Sequence, residues 1–341
     1  MERSSVAVYD KSRSGEGRIA TVFGASGFVG RYAVGAMARD GWRILGASRR
    51  PNLAGHLQPM GDVGQIHAVQ ANVRYADSVR RAVEGAEVVV NLVGIPANAG
   101  PQTFEGVHVV GARAVARAAR EAGAKRLVHI SAICAQHTRA GECARSKAEG
   151  EAAVLDQFPS AVILRPSLVF GPEDQLFNRF AAIARLSPFL PLIGDGRTRL
   201  QPVYVGDVAA AIAAASAEKA KPGTIYELGG PHIVTPRELL EKTLSWTGRR
   251  RWRMPIPFWL AKFIAAIVAP LPSTIRPVTF DEVLLLERPN VVSQAAIREQ
   301  RTLSGLGIEH PNAMSTIVPA YLLRFHPRGQ FAQYRRAGRS P

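Results

Sequence analysis

Three glycines spaced G-x-x-G-x-x-G, Gly24, Gly27 and Gly30, follow the apolar run Ile19 to Phe23 and lead into a helical pattern beginning Arg31-Tyr32-Ala33-Val34. A strand that turns on glycine into a helix can hold a diphosphate. The first glycine permits the turn, the second lets backbone N–H groups approach the phosphates, and the third lets the helix sit close to the strand. Free N–H groups and the positive end of the helix dipole supply the attraction. At the end of the next apolar run stands Ser48-Arg49-Arg50. An acid here would hold a ribose 2′-OH, whereas a guanidinium fork matches a 2′-phosphate, so Arg49 and Arg50 favour NADP(H) over NAD(H). Farther along, Cys143 and Lys147 stand four residues apart with Arg145 between them. A thiolate beside two cations would have a lowered pKa, which makes Cys143 a candidate nucleophile, although no histidine sits at an obvious relay position. His129, inside an apolar run, reads as a packed core residue, and Asp207, opening an alanine-rich run to Ala215, as a helix N-cap.

The elements that must position these groups alternate. Residues 42–47 and 66–69 read as the second and third strands, 77–83 as a helix, and 87–94 as a strand whose consecutive valines suit a position buried on both faces of a parallel sheet. Val107, Val110, Ala114, Val115 and Ala118 recur at helical spacing before another buried strand at 126–131. Residues 146–151 lie on the next helix, and 161–164 form a strand. This β-α-β-α order predicts an α/β fold, a doubly wound parallel sheet with its ligand at the carboxyl ends of the strands.

The 341 residues can bury a full core in one large or two modest domains. Lys and Arg number 43 against 27 acids, a net charge of +16, which points to an acidic partner such as a membrane surface, an acidic subunit or nucleic acid. No RNA or DNA module is visible, so nucleic acid is not the expected partner. Two cysteines, Cys134 and Cys143, cannot build a disulfide scaffold and point to a reducing compartment. No metal-binding cluster is visible. The first 18 residues contain Glu2, Asp10 and Glu16 without an apolar core, so neither a secretory signal nor a transit peptide is read, and the chain is expected to start in the compartment where it works. Residues 258–271 are broken by Lys262 and Pro270 and fall short of the roughly 20 residues needed to span a bilayer.

The glycine turn, Ser146-Lys147-Ala148-Glu149-Gly150-Glu151 and the loop Arg165-Pro166-Ser167-Leu168-Val169-Phe170-Gly171-Pro172 together resemble the short-chain dehydrogenase/reductase superfamily in its extended or atypical form, related to NAD-dependent epimerases, over roughly residues 18–230. His56-Leu57-Gln58-Pro59-Met60-Gly61-Asp62-Val63-Gly64-Gln65 and Leu200-Gln201-Pro202-Val203-Tyr204-Val205-Gly206-Asp207-Val208 resemble, more narrowly, the nucleotide-binding accessory subunits of respiratory complex I, the alpha-subcomplex subunit nine family. The resemblance implies a Rossmann NAD(P)-binding domain at 18–170 after an N-terminal extension at 1–17. A smaller C-terminal α/β domain at 171–320, whose chain crosses back to the sheet, and a basic tail at 321–341 would follow. It places NADPH along Gly24, Ala25, Ser26, Gly27, Phe28, Val29 and Gly30, then Arg49 and Arg50, Asn72 and Val73, Leu92, Val93 and Gly94, Ser131, Lys147, and Pro166, Ser167 and Leu168. Asn72 stands where many relatives carry an acid against adenine, and an amide can still accept and donate there.

Active relatives use a tyrosine four residues before the lysine, which lowers the phenol's pKa and holds the ribose, and a hydroxyl just beyond the strand that ends at Ser131. Here those positions are Cys143 and Ala132 or Ile133. No residue is assigned to catalysis, and Lys147 is left to hold the ribose. The resemblance therefore implies a non-catalytic subunit at the junction of the peripheral and membrane arms near the quinone site, peripheral on the cytoplasmic face of a bacterial inner membrane or the matrix side of a mitochondrial one. A free-standing NADP-dependent reductase or sugar-nucleotide epimerase is the alternative. Segment 249–262 combines five basic residues with three aromatics and no acid, which suits an anionic lipid interface; a packed helix beside a solvated basic loop is the other reading. The last 21 residues hold five arginines and no acid, and read as a mobile tail or one ordered by a partner.

Overall fold

In the computed structural model, which describes residues 18–138, 140–268, 279–327 and 329, the apolar runs become adjacent parallel strands. In chain order they are β1 (Ile19–Phe23), α1 (Phe28–Arg39), β2 (Arg43–Ser48), β3 (Ile66–Gln70), α2 (Ala76–Val83), β4 (Val88–Asn91), α3 (Ala112–Glu121), β5 (Arg126–Ile130), α4 (Glu142–Gln157) and β6 (Val162–Pro166). After β7 (Val169–Phe170), α5 (Phe177–Leu186), β8 (Phe189–Ile193) and β9 (Val203–Tyr204), the chain returns as α6 (Val205–Ser216) and β10 (Ile225–Leu228). The sheet order is β10-β6-β5-β4-β1-β2-β3, every pair parallel.

Period-two alternation explains why both faces are covered. Val88 and Val90 of β4 join a core built with α1 and α6, while Val89 points the other way into a core with α2, α3 and α4. The strand order reverses between β1 and β4, so the crevice outside their carboxyl ends is the expected ligand site.

The remaining elements are α7 (Pro236–Trp246), β11 (Trp252–Ile256), α8 (Phe258–Val268), α9 (Phe280–Leu286), α10 (Gln294–Arg298) and α11 (Met314–Leu322). Phe170, Phe177, Leu239, Met314 and Val318 form a third core, and β8 pairs with β11 as a separate parallel ribbon. The loop after β7 ties this region to α1: Tyr32 donates to Glu173 at 2.8 Å, and the Tyr321 hydroxyl donates to Asp174 at 2.5 Å. Tyr321 thus belongs to α11 and not to a tail, while residues 330–341 lie outside the described residues, as do 1–17. Asp207 is not the cap of α6. Tyr204 holds that position, and Asp207, buried in the first turn, accepts from the Asn312 backbone and side-chain N–H groups, each at 2.7 Å. Burial pushes its carboxyl up, and the Asn312 bonds oppose that. No helix among the described residues is long and apolar enough to cross a membrane.

Candidate functional site

Outside the carboxyl ends of β1, β2, β3 and β4 lies a cavity of about 210 Å³, lined by Gly24, Ser26 and Gly27 from the turn, Ser48 and Arg49 after β2, Asn72, Val73 and Arg74 after β3, and Leu92, Val93 and Gly94 after β4. Gly24 holds φ +80°, and a Cβ there would stand 3.2 Å from the Leu92 backbone. At Gly30 a Cβ would meet the Gly24 carbonyl oxygen at 2.1 Å, so only glycine lets α1 start this close to the turn. Gly27 occupies the N-cap and no side chain caps the helix, which leaves its first N–H groups for a ligand. The Ser48 hydroxyl is buried without a hydrogen-bond partner on the wall of the same cavity. A glycine cradle, an uncapped helix start and an orphaned hydroxyl fit a dinucleotide diphosphate and the ribose beyond it.

The adenosine end carries more positive charge than the sequence revealed. Arg49 lines the cavity and donates to the Gln102 side chain, while Arg50 is exposed and lies off the wall. The second guanidinium on the wall is Arg74, which donates to the Pro101 carbonyl at 2.7 Å. Asn72 Oδ1 accepts from the Arg74 N–H at 3.2 Å, fixing the turn that presents it. Arg74, Gln102 and Ser48 were not singled out in the sequence; the position just past β3, opposite the end of β2, was the signal available for Arg74.

At the other end, a Cβ on Gly94 would stand 3.2 Å from Lys147 Nζ and 3.6 Å from His108 Nε2, so both groups reach the rim. His108 lies on a π-helical turn, Glu105–Gly111, where the sequence pattern had read α-helix. Gly150 of α4 admits that turn, since a Cβ there would meet the His108 carbonyl oxygen at 2.1 Å. Nε2 of His108 accepts from the Ile95 N–H at 3.1 Å, so the proton sits on Nδ1 and is donated to Ser146 Oγ at 2.9 Å; Ser146 in turn donates to the Cys143 carbonyl. Burial, and then the Lys147 charge, press the His108 imidazole down to about 3. Burial and Lys147 do the same to His129, which is packed in β5 and accepts from the Asn91 amide at 3.2 Å. Burial lowers Lys147 itself, and both cysteines and Glu151 oppose that.

At Cys143 burial outweighs the Lys147 charge and, with Cys134 adding to it, pushes the thiol up to about 12. That counts against the nucleophile reading: the Lys147 charge is too weak a counterweight to the desolvation of the buried thiol. Ser131 Oγ is buried and unpartnered near the same end. Ser131 and Lys147 lie outside the residues lining the cavity, as do Ala25, Phe28, Val29, Gly30, Pro166, Ser167 and Leu168. Ala25 is core, and the Ser167 hydroxyl is committed to the Asn290 carbonyl at 3.0 Å. Among the described residues, no group of three or more His, Cys, Asp or Glu could hold a metal ion.

The family model described as the NAD dependent epimerase/dehydratase family matches residues 20–229. The chain belongs to that family. Within it, the chain is 35% identical to the mitochondrial NADH dehydrogenase [ubiquinone] 1 alpha subcomplex subunit 9 of Arabidopsis thaliana, over 91% of this chain and 83% of that one. The Mus musculus protein of the same name is 37% identical over 74% and 67%. The crystal structure of an NADPH-dependent quinone oxidoreductase of Escherichia coli in complex with NADPH superposes with a TM-score of 0.69 at 20% identity, covering 89% of this chain and 99% of that one, a likeness of fold. The chain thus carries the nicotinamide-nucleotide fold of this family, and relatives at 35% and 37% identity are alpha subcomplex subunit 9 proteins.

Proposed function

We propose that this chain is a non-catalytic accessory subunit of respiratory complex I that binds NADPH and braces the junction of the peripheral and membrane arms near the quinone site. The observation that supports the reading is a glycine cradle with guanidiniums on its wall, while the residue four before Lys147 on α4 is Cys143, whose thiol burial keeps protonated. When bound, NADPH would supply a hydride donor, and among the described residues no phenol, imidazole or carboxyl side chain lines the cavity. Lys147 would hold the ribose, Arg49 the 2′-phosphate and the α1 start the diphosphate. The other complex I subunits are its partners, and segment 249–262 meets anionic lipid on the side from which the peripheral arm projects, cytoplasmic in a bacterium and matrix in a mitochondrion.

The test is to purify the tagged chain from its native membranes in mild detergent and to assay nucleotide and turnover. Complex I subunits and about one NADPH per chain should accompany it, and the isolated chain should not oxidise NADPH across a carbonyl panel. A chain that elutes alone and turns over NADPH, with the activity lost in Cys143→Ala, would overturn the proposal.

A further inference from the structure

Segment 249–262 was expected to meet lipid through its cations, yet most of those cations are committed within the molecule. Arg249 donates to the Phe325 carbonyl at 3.1 and 3.2 Å, and Arg251 to the Ala184 carbonyl at 2.8 Å. Arg253 pairs with Glu241, and Lys262 with Glu287 at 2.6 Å. What the segment presents outward is apolar. Along α8, Ala261 and Ala265 face inward against Val283 of α9, with Ile193 and Ile256 beside them. The opposite face carries Trp259, Phe263 and Ile267 at i, i+4 and i+8, with exposures of 70%, 60% and 61%.

The β8–β11 ribbon extends this face. Phe189 pairs with Trp252 in register, and two residues on, Met254 stands on the same side; all three are exposed, Trp252 by 76%. The same side of the ribbon ends at Ile193 and Ile256, which α8 covers, so ribbon and helix form one continuous surface. A soluble monomer seldom leaves so many large apolar side chains together in water.

We infer that α8 and the outer face of the β8–β11 ribbon seat in the interfacial layer of a phospholipid bilayer, held by insertion of Trp252, Trp259, Phe263 and Ile267, with charge contributing attraction at a distance. This rests on the membrane contact proposed above and replaces its cationic mechanism with an apolar one. Lipid is the occupant favoured here because the exposed rings include two tryptophans flanked by paired arginines and a lysine, the pattern of an element lying in an interface, and because the net charge of +16 complements an anionic surface. The 11 described residues of α8 are too few to span a bilayer, and Pro270 follows in the sequence, so the helix is proposed to lie in the plane of the membrane.

The test uses the full chain with NADPH and vesicles of phosphatidylcholine, with and without phosphatidylglycerol. It should bind both, its tryptophan emission shifting to the blue and being quenched by brominated acyl chains. Raising NaCl from about 0.1 to 0.5 M, which shortens the screening length roughly twofold, should weaken binding less than about threefold. The Trp259→Ser/Phe263→Ser double variant should bind at least tenfold more weakly with unchanged Tm and NADPH affinity. Binding restricted to anionic vesicles and abolished by salt would overturn the inference, as would an unaffected double variant. No vesicle binding by wild type, with the double variant losing complex I subunits instead, would make the face a protein interface and overturn it too. Because vesicle binding requires no other subunit, a chain that binds vesicles yet elutes without complex I fails only the assembly proposal.

Discussion

Gly30 and Gly27 separate folding from binding within one turn. Gly30→Ala would place a Cβ 2.1 Å from the Gly24 carbonyl oxygen and 2.6 Å from that of Ala25. Both are backbone atoms, so no side-chain rotation relieves the overlap. Alanine gains about 1 kcal/mol over glycine inside a helix. Overpacking costs about 1–3 kcal/mol, and a clash with backbone belongs at the upper end of that range. The net loss is about 1–2 kcal/mol, or roughly 2–8 °C in Tm at the ~2–4 °C per kcal/mol seen for domains of 150–250 residues. Gly27→Ala differs. Its Cβ would meet only the Gly24 oxygen, at 3.2 Å, and the backbone φ of −73° suits alanine, so stability should change by no more than about 0.5 kcal/mol. The added methyl would nevertheless occupy the wall where a diphosphate approaches the helix start, and NADPH affinity should fall at least tenfold. Thermal melts and calorimetry on the two variants decide the matter. A Gly30→Ala protein as stable as wild type, or a Gly27→Ala protein with unaltered NADPH affinity, would refute the geometric reasoning.

Arg49→Ala and Arg74→Ala should each weaken NADPH binding by roughly ten- to a hundredfold, from about 1.5–3 kcal/mol per charge-assisted hydrogen bond, while NADH binding and Arg50→Ala change little; calorimetry with both nucleotides checks this. His108 and His129 bind their protons near pH 3 when folded and near 6.5 when unfolded, so between those values the unfolded chain binds more protons and stability falls as pH falls. The slope should reach about 1.4 kcal/mol per pH unit for each histidine, read as a falling urea midpoint from pH 6.5 to 5, and a flat profile would contradict it.

The fold was legible where one physical signal dominated. Consecutive valines at 88–90 suit a strand buried on both faces, and G-x-x-G-x-x-G after the apolar β1 fixes how α1 leaves it. The site was legible in part. Arg49 could be placed because β2 ends beside β1, but which of two adjacent arginines turns inward depends on where the chain bends after Ser48, and that is a tertiary fact. Arg74 needed the parallel register of β2 with β3, Ser48 beside Gln70, which brings the residues just past both strands to the same end of the sheet. The π-helical turn at Glu105–Gly111 escaped because Val107 and Val110 satisfy an α-helical period almost as well; Gly150, far away in sequence, makes room for it. The basic and aromatic composition of 249–262 could not show that Arg249, Arg251 and Arg253 would be taken up by carbonyls and a carboxylate of the same molecule.

The return of β10 to the sheet has a consequence for how the chain can be made. β10 pairs with β6, and α6 packs along α1 over the same face as Val88 and Val90. A ribosome that has released only residues 18–170 has produced a half-roofed sheet with β6 as a raw hydrogen-bonding edge, the kind of intermediate that pairs with its neighbours. Proteolysis or truncation between β6 and β10 would therefore yield a sticky fragment and not a smaller nucleotide-binding protein, and the chain must be synthesised past β10 before its sheet can close.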